Sequence, residues 1–227
     1  MDDYAQLAER LLQLESAVVA DVLEAAGLDS QSLAADIRPV RTGSKMAGPA
    51  ICAAGSQNYG ERKPPSFELD DTIYPGGILI IDTDRCERGA IIGDNMVASM
   101  VNRGAAGFIV DGGIRDYADF VELPQPVFYR YACPISAHRD WGFTSFEQPI
   151  TLRGMRDDVT INPGDLLLAD GDGVVVVPRR HALQIIEDAE VHMATENSIK
   201  QALLRGEDRR TVTSAAGRLK HVRPLSD

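Results

Sequence analysis

The sequence predicts a mixed α/β fold, and three observations carry that expectation. Short apolar runs rich in β-branched residues, at Ile78-Leu79-Ile80-Ile81, Phe108-Ile109-Val110 and Val174-Val175-Val176-Val177, are bounded by glycine or proline turns, as strands buried on both faces are. Both ends of the chain carry apolar residues at helical spacing instead. The elements follow one another at irregular intervals, and no glycine-rich strand-to-helix fingerprint occurs, which argues against a doubly wound nucleotide-binding sheet.

In chain order, Tyr4 to Ala26 places Leu11, Leu12, Val18, Val19, Val22 and Leu23 on a helical face that stops at Gly27. Ser16 is a candidate cap for a second segment, so two short helices are open. Lys45 to Ala54 reads as a strand, and Pro49 within it suggests a sheet edge or a strand start, because proline lacks an N–H. The stretch GSQNYGERKPPSFELDD is the least regular, with Lys63-Pro64-Pro65 interrupting any helix there. Pro75-Gly76-Gly77 then turns into ILIID, and Pro163-Gly164-Asp165 turns into LLLAD, a brief internal echo of turn, strand and acid. Between the first echo and the next helix lies CERGAIIGD, whose Glu87 and Arg88 have no clear assignment. VFYRYA, set between prolines, reads as one strand, DDVTI as another, and Asp172-Gly173 as the tight turn between LLLAD and VVVVP. Ser136 and His138 lie near each other without a GxSxG elbow or an acid at recognisable spacing, so His138 is read as structural. Arg180 to Leu204 forms a C-terminal helix. One domain over 1–205 is expected, followed by a polar tail, 206–227, that is either partly disordered or packed on a neighbouring subunit.

A net charge of −11 argues against a nucleic-acid backbone binder, which needs a basic face. Hydrophobic content of 44% with charged content of 25% is that of a globular protein. No apolar run reaches membrane-spanning length, and MDDYAQLAERL carries neither a basic n-region nor an apolar h-region, so neither membrane insertion nor export is expected. Cys52, Cys86 and Cys133 show no metal-type spacing and are expected as reduced thiols in a cytoplasmic protein.

The chemistry concentrates in GDNMVASMVNRGAAGFIVDGGIRD, from Gly93 to Asp116. Asp94 and Asn95 are residue types that cap a helix, and an apolar helical segment follows. The N–H groups of Asn95 and Met96 at that helix start are suited to a bound anion. A glycine-bounded strand then delivers Arg115 and Asp116 side by side, a pair able to hold an anion and a cation together. If helix and strand pack antiparallel, Asp94 faces both. Carboxylate oxygens suit a hard divalent cation, Mg²⁺ or Mn²⁺, and Mg²⁺ needs only one or two protein carboxylates. Taken alone, the same residues also suit a helix cap followed by a surface Arg–Asp pair.

Twenty residues separate Asp94 from Arg115, and Asp119 follows Asp116 after two more, giving D-x20-R-D-x2-D. This spacing resembles the signature of the RraA-like superfamily. Within it, the resemblance points to the class II, metal-dependent 4-hydroxy-4-methyl-2-oxoglutarate/4-carboxy-4-hydroxy-2-oxoadipate aldolases. GPAICA, PGGILIID, RGAAGFIVDGGIRD and PGDLLLADGDGVVVVP also stand in the family's order. The resemblance implies a swivelling-domain (phosphohistidine-domain-like) α/β sandwich with a mixed sheet and flanking helices, assembled as a homotrimer or homohexamer. It implies a divalent metal on Asp116, Asp94 hydrogen-bonded to the ion's waters, and Arg115 on the ketone and carboxylate oxygens of the substrate. Gly93 and the backbone of Asn95 and Met96 would complete the carboxylate cradle. The reaction implied is cleavage of a hydroxy-oxo acid to pyruvate, with oxaloacetate decarboxylation through the same enolate. Asp119, Asp172 and Asp21 are candidate supporting acids, with Asp170 beside Asp172. The alternatives are a solvated helix charge at Asp21 and a turn-shaping role at Asp170 and Asp172. Arg62 and Lys63 are candidate contacts for a distal carboxylate. The competing function is that of a non-catalytic, RraA-type regulator that binds a ribonuclease or another protein.

Overall fold

The computed structural model describes residues 2–57 and 64–225. Arg62 and Lys63 lie outside the described residues. The chain runs α1 (Asp2–Leu12), α2 (Ser16–Ala26), β1 (Arg38–Pro39), β2 (Met46–Ser56), β3 (Ile78–Asp82), β4 (Ala90–Ile92) and α3 (Asp94–Asn102). It continues through β5 (Gly107–Val110), β6 (Gly113–Ile114), α4 (Tyr117–Glu122), β7 (Val127–Tyr129), β8 (Tyr131–Ala132) and β9 (Gly142–Phe146). The last elements are β10 (Ile150–Leu152), β11 (Val159–Ile161), β12 (Leu166–Ala169), β13 (Val174–Val177), α5 (Ala182–Leu204) and α6 (Arg209–Ala216).

The principal sheet is mixed and has the order β1-β7-β5-β3-β2-β12-β13, with β9 also paired to β2. Strands β2, β3, β5 and β7 are mutually parallel, while β1, β12 and β9 run antiparallel to their neighbours. The apolar runs are continuous because both faces of this sheet are covered. Ile51, Leu79, Ile81, Phe108 and Val110 point to one side, toward α3, α4 and Trp141. Cys52, Ile78, Ile80 and Ile109 point to the other, onto the β10–β11 hairpin. At the far end Leu166, Leu168, Val175 and Val177 pack against α1, α2 and α5. The two echoed segments are β3 and β12, and they flank β2 on opposite sides.

Pro49 is not at an edge. Strand β2 is central, and its proline sits where partners change: Met46 to Pro49 pair with β12, and pairing to β3 begins at Ala50. The missing N–H therefore breaks no ladder on the β3 side. Glu15, not Ser16, is the N-cap of α2; Ser16 is the first helical residue and is tied by its backbone N–H and hydroxyl to the Asp170 carboxylate at 2.8 and 2.6 Å. The turn between β12 and β13 is closed by reciprocal backbone bonds between Asp170 and Gly173, so Gly171 and Asp172 are its central residues. A 3₁₀ helix, Ser66–Thr72, follows Pro64-Pro65. The end of the described chain lies on α2 and α5: Arg223 bonds Asp188 at 3.0 Å, and the Leu225 N–H bonds the Ala26 carbonyl at 3.0 Å.

VFYRYA is two strands rather than one. It divides at Arg130, where β7 leaves the principal sheet and β8 enters a small parallel sheet of order β4-β6-β8. The same transfer occurs from β3 to β4 and from β5 to β6. Thr83, Asp111 and Arg130 mark the crossings: the Thr83 hydroxyl donates to the Asp111 carbonyl at 2.7 Å, and Arg130 pairs with the Asp111 carboxylate. Burial pushes the Asp111 carboxyl above its ordinary value, and the Arg130 guanidinium pulls against that shift.

Candidate active site

The small sheet positions the site. Its parallel pairing aligns Ala90 with Gly113 and Ile92 with Ile114, so Gly93 and Arg115 leave adjacent strand ends together. Helix α3 starts after β4 and α4 starts after β6, which puts two helix N-termini at the carboxyl ends of parallel strands, a common ligand location in open α/β sheets. Asp94 reaches Arg115–Asp116 because β4 and β6 are neighbours. The antiparallel packing of helix and strand anticipated from the sequence is not what creates the proximity. Nor does β5 run directly into Ile114-Arg115-Asp116, since Asp111 and Gly112 separate it from β6.

Neither Asp94 nor Asn95 caps α3. The N-cap is Gly93, with extended backbone, and no side-chain cap bond is made. The first-turn N–H groups are consequently left for other acceptors. One of them is used: Asp94 N–H donates to Asp116 Oδ2 at 3.2 Å. Arg115 Nε lies 3.6 Å from the same oxygen. A side chain at Gly93 would crowd this pair, since a Cβ there would stand 2.5 Å from Asp116 Oδ2 and 3.0 Å from Arg115 Nε. Asp116 itself adopts left-handed backbone, φ 59° and ψ 41°, an uncommon conformation for a residue with a Cβ and one that clusters at functional sites.

Gly93, Asp94, Asn95, Met96 and Arg115 line one cleft of about 70 Å³. Asp116 adjoins it through the Asp94 bond. Asp119 lies in the first turn of α4, exposed, and its N–H donates to the Asp116 carbonyl at 3.0 Å. The other candidate acids are placed elsewhere in the chain. Asp172 sits in the β12–β13 turn, its N–H on Asp170 Oδ1 at 3.0 Å and its carbonyl accepting from Arg38 at 3.2 Å. Asp21, on α2, is 3.3 Å from Arg218 and 3.6 Å from His192 Nε2. Neither lines the Gly93–Arg115 cleft of this chain.

A second cavity, of about 180 Å³, adjoins the first and shares Ala90, Ile91, Met96 and Ser136 with it. Trp141 and Phe143 form part of its wall. Ser136 Oγ accepts the backbone N–H of His138 at 3.4 Å, which is a turn cap and not a nucleophile–base contact. The sequence pointed to none of these walls, because Ile91, Trp141 and Phe143 meet only through tertiary packing.

Among the described residues no three His, Cys, Asp or Glu side chains cluster as a metal cage. The donor set that remains is the Asp116 carboxylate in the cradle kept open by Gly93, with Asp94 alongside. That set fits Mg²⁺, which retains most of its waters, better than it fits a metal requiring several protein ligands.

The RraA-like family, described as Aldolase/RraA, matches residues 16–176. A Halalkalibacterium halodurans protein provisionally named a 4-hydroxy-4-methyl-2-oxoglutarate aldolase is 30% identical over 174 residues, covering 76% of this chain and 78% of its own. Protein DlpA of Legionella pneumophila is 27% identical over 90% of this chain but only 33% of its own length. The crystal structure of Streptomyces coelicolor RraAS2, described as an unusual member of the RNase ES inhibitor RraA protein family, has a TM-score of 0.79 and 26% identity, over 86% of this chain and 97% of that one. With the mixed sheet, the flanking helices and the paired ends of β4 and β6 in place, this protein belongs to the RraA-like family.

Proposed function

We propose that the protein is a divalent-metal-dependent carbon–carbon lyase. It cleaves a 4-hydroxy-2-oxo acid to pyruvate and a second carbonyl product, an oxo acid in the reactions the resemblance implies. It decarboxylates oxaloacetate through the same pyruvate enolate. The observation that supports this is the junction of two helix starts at which Gly93 yields space to Asp116 and Arg115, with Asp116 held in left-handed backbone.

The Arg115 guanidinium is a planar fork able to span the ketone and carboxylate oxygens of a 2-oxo acid. The N–H groups of Asn95 and Met96, with the dipole of α3 behind them, receive the carboxylate. As the C3–C4 bond breaks, charge moves to the ketone oxygen, where Arg115 meets it. Asp94, lining the same cleft, is the side chain placed to accept or relay the proton of the 4-hydroxyl. Asp116 is the carboxylate to hold Mg²⁺ or Mn²⁺; such an ion supplies Lewis-acid stabilisation of developing negative charge. Among the described residues no lysine lines the cleft, so no Schiff-base lysine is assigned in this proposal. A homotrimer or homohexamer is part of the proposal, with Asp21, Asp172 and Asp119 as supporting acids at or between subunits.

The test is pyruvate release from oxaloacetate and from 4-hydroxy-4-methyl-2-oxoglutarate, with Mg²⁺ or EDTA, by wild type and Asp116→Ala. Release that needs the metal and is lost in the variant supports the proposal. Silence on both substrates with every divalent metal overturns it and favours the regulator, which the likeness to RraAS2 makes the next function to test by protein pull-down.

A further inference from the structure

Resting on that function, we propose that the group on C4 of the substrate is apolar, and that an aryl or branched alkyl substituent is preferred over a second carboxylate. The cavity next to the Gly93–Arg115 cleft is where that group must go, because the two share Ala90, Ile91, Met96 and Ser136. A 2-oxo acid held by Arg115 and the start of α3 therefore directs its C4 end into the larger space.

The lining of that space is mostly apolar. Ile91, Met96, Trp141, Phe143 and Pro65 contribute to it, Ser66, Ser136 and His138 are its polar side chains, and no Lys or Arg is among the described residues there. A carboxylate placed in it would be desolvated, with no guanidinium or ammonium among the described lining residues to meet it. The volume, about 180 Å³, exceeds the roughly 150 Å³ of an apolar cavity that takes up benzene. The wall is also preformed. Trp141 donates its indole N–H to the Thr83 carbonyl at 2.9 Å and meets Phe143 edge-on, with ring centroids 4.9 Å apart. Gly55 makes room for the indole, since any side chain there would overlap the ring. With its one polar atom already satisfied, the ring presents carbon to the cavity.

The reaction then reads R–CH(OH)–CH₂–CO–COO⁻ to R–CHO and pyruvate, with R apolar. The C3–C4 bond breaks, its electron pair passes to the enolate, the hydroxyl proton leaves, and a proton returns to C3, so atoms and charge balance without a co-reactant.

The experiment compares 4-hydroxy-2-oxo-4-phenylbutanoate with 4-hydroxy-4-methyl-2-oxoglutarate, using oxaloacetate as control. The phenyl substrate is expected to have a kcat/KM at least about tenfold higher, the lower end of what one apolar pocket discriminates. Trp141 is the sole tryptophan, so its fluorescence reports occupancy directly. Addition of the uncleavable 2-oxo-4-phenylbutanoate is expected to shift the emission, whereas 2-oxoglutarate at equal concentration leaves it unchanged. His138→Arg, an exposed position on the cavity rim, adds a fixed cation and is expected to move the preference toward the dicarboxylate by tenfold or more. Activity on oxaloacetate with the dicarboxylate preferred by wild type, or an emission insensitive to the phenyl compound, overturns this inference alone. Silence on oxaloacetate as well overturns the enolate chemistry on which it rests.

Discussion

Gly93→Ala isolates the steric requirement of the site from its charge. The backbone at Gly93, φ −139° and ψ 179°, is ordinary extended chain, so alanine meets no conformational penalty. Its methyl group would stand 2.5 Å from Asp116 Oδ2, where ordinary contact begins at 3.4 Å, and 3.0 Å from Arg115 Nε. The Asp116 carboxylate must retreat by about 1 Å, the 3.2 Å bond from Asp94 N–H is broken, and a misplacement of that size at a reacting centre costs about 10²-fold in rate. Both affected side chains are partly exposed, at 44% and 34%, so the core is untouched and stability is expected to stay within about 1 kcal/mol. Pyruvate release from oxaloacetate, followed with a coupled dehydrogenase, and urea unfolding of the same preparation give the two numbers. A variant that folds normally and keeps activity within about threefold of wild type would refute the steric argument.

Arg115→Lys keeps the charge but removes the planar fork, and a loss of about 10²–10³ in kcat/KM on oxaloacetate is expected, measured under saturating Mg²⁺. Asp116→Gly relieves the left-handed backbone at φ 59°, so its urea midpoint should equal or exceed that of wild type while activity disappears; a loss of more than about 1 kcal/mol would show that the aspartate is structural. Glu190 accepts two hydrogen bonds from Arg10, both at 2.8 Å, and these hold its carboxyl below the ordinary 4.5. A lowered acid stabilises the fold fully above its unfolded value and loses that contribution as pH falls through the lower folded one. With the partners 37% and 40% exposed, the contribution is about 0.5 kcal/mol after screening. Glu190→Gln should therefore cost that much at pH 7 and progressively less toward pH 3 in urea unfolding, and a pH-independent difference would contradict the assignment.

Strands buried on both faces were the most legible part of the fold, because β3, β5, β12 and β13 are unbroken apolar runs with turn residues at their ends. The long C-terminal helix was legible for the same reason of period. The small sheet was not. Its strands are two or three residues long, too short for any periodicity, and CERGAIIGD concealed β4 while VFYRYA concealed the passage from β7 to β8. That sheet is nevertheless what joins Gly93 to Arg115. The neighbourhood of Asp94, Arg115 and Asp116 was visible in spacing, whereas its cause, parallel pairing of β4 and β6, was not. Pro49 misled because a proline in a strand suggests an edge, and only the register shows β2 exchanging partners beside it. Asp170 looked equivalent to Asp172 in sequence, yet the hydroxyl that Asp170 binds, on Ser16, lies 154 positions away in the chain. Trp141 is likewise fixed by a distant partner, the Thr83 carbonyl 58 positions away.

The proposed formation of the pyruvate enolate at Arg115, Asp94 and Asp116 can be tested without knowing the acceptor. Pyruvate is incubated in D₂O with the protein and Mg²⁺, and the methyl proton signal is followed by NMR as deuterium replaces hydrogen at C3. Wild type is expected to exchange these protons at least about 10²-fold faster than Asp116→Ala, and EDTA is expected to abolish the difference. Exchange by wild type no faster than in buffer, in a preparation shown to be folded, would contradict enolate chemistry at this site.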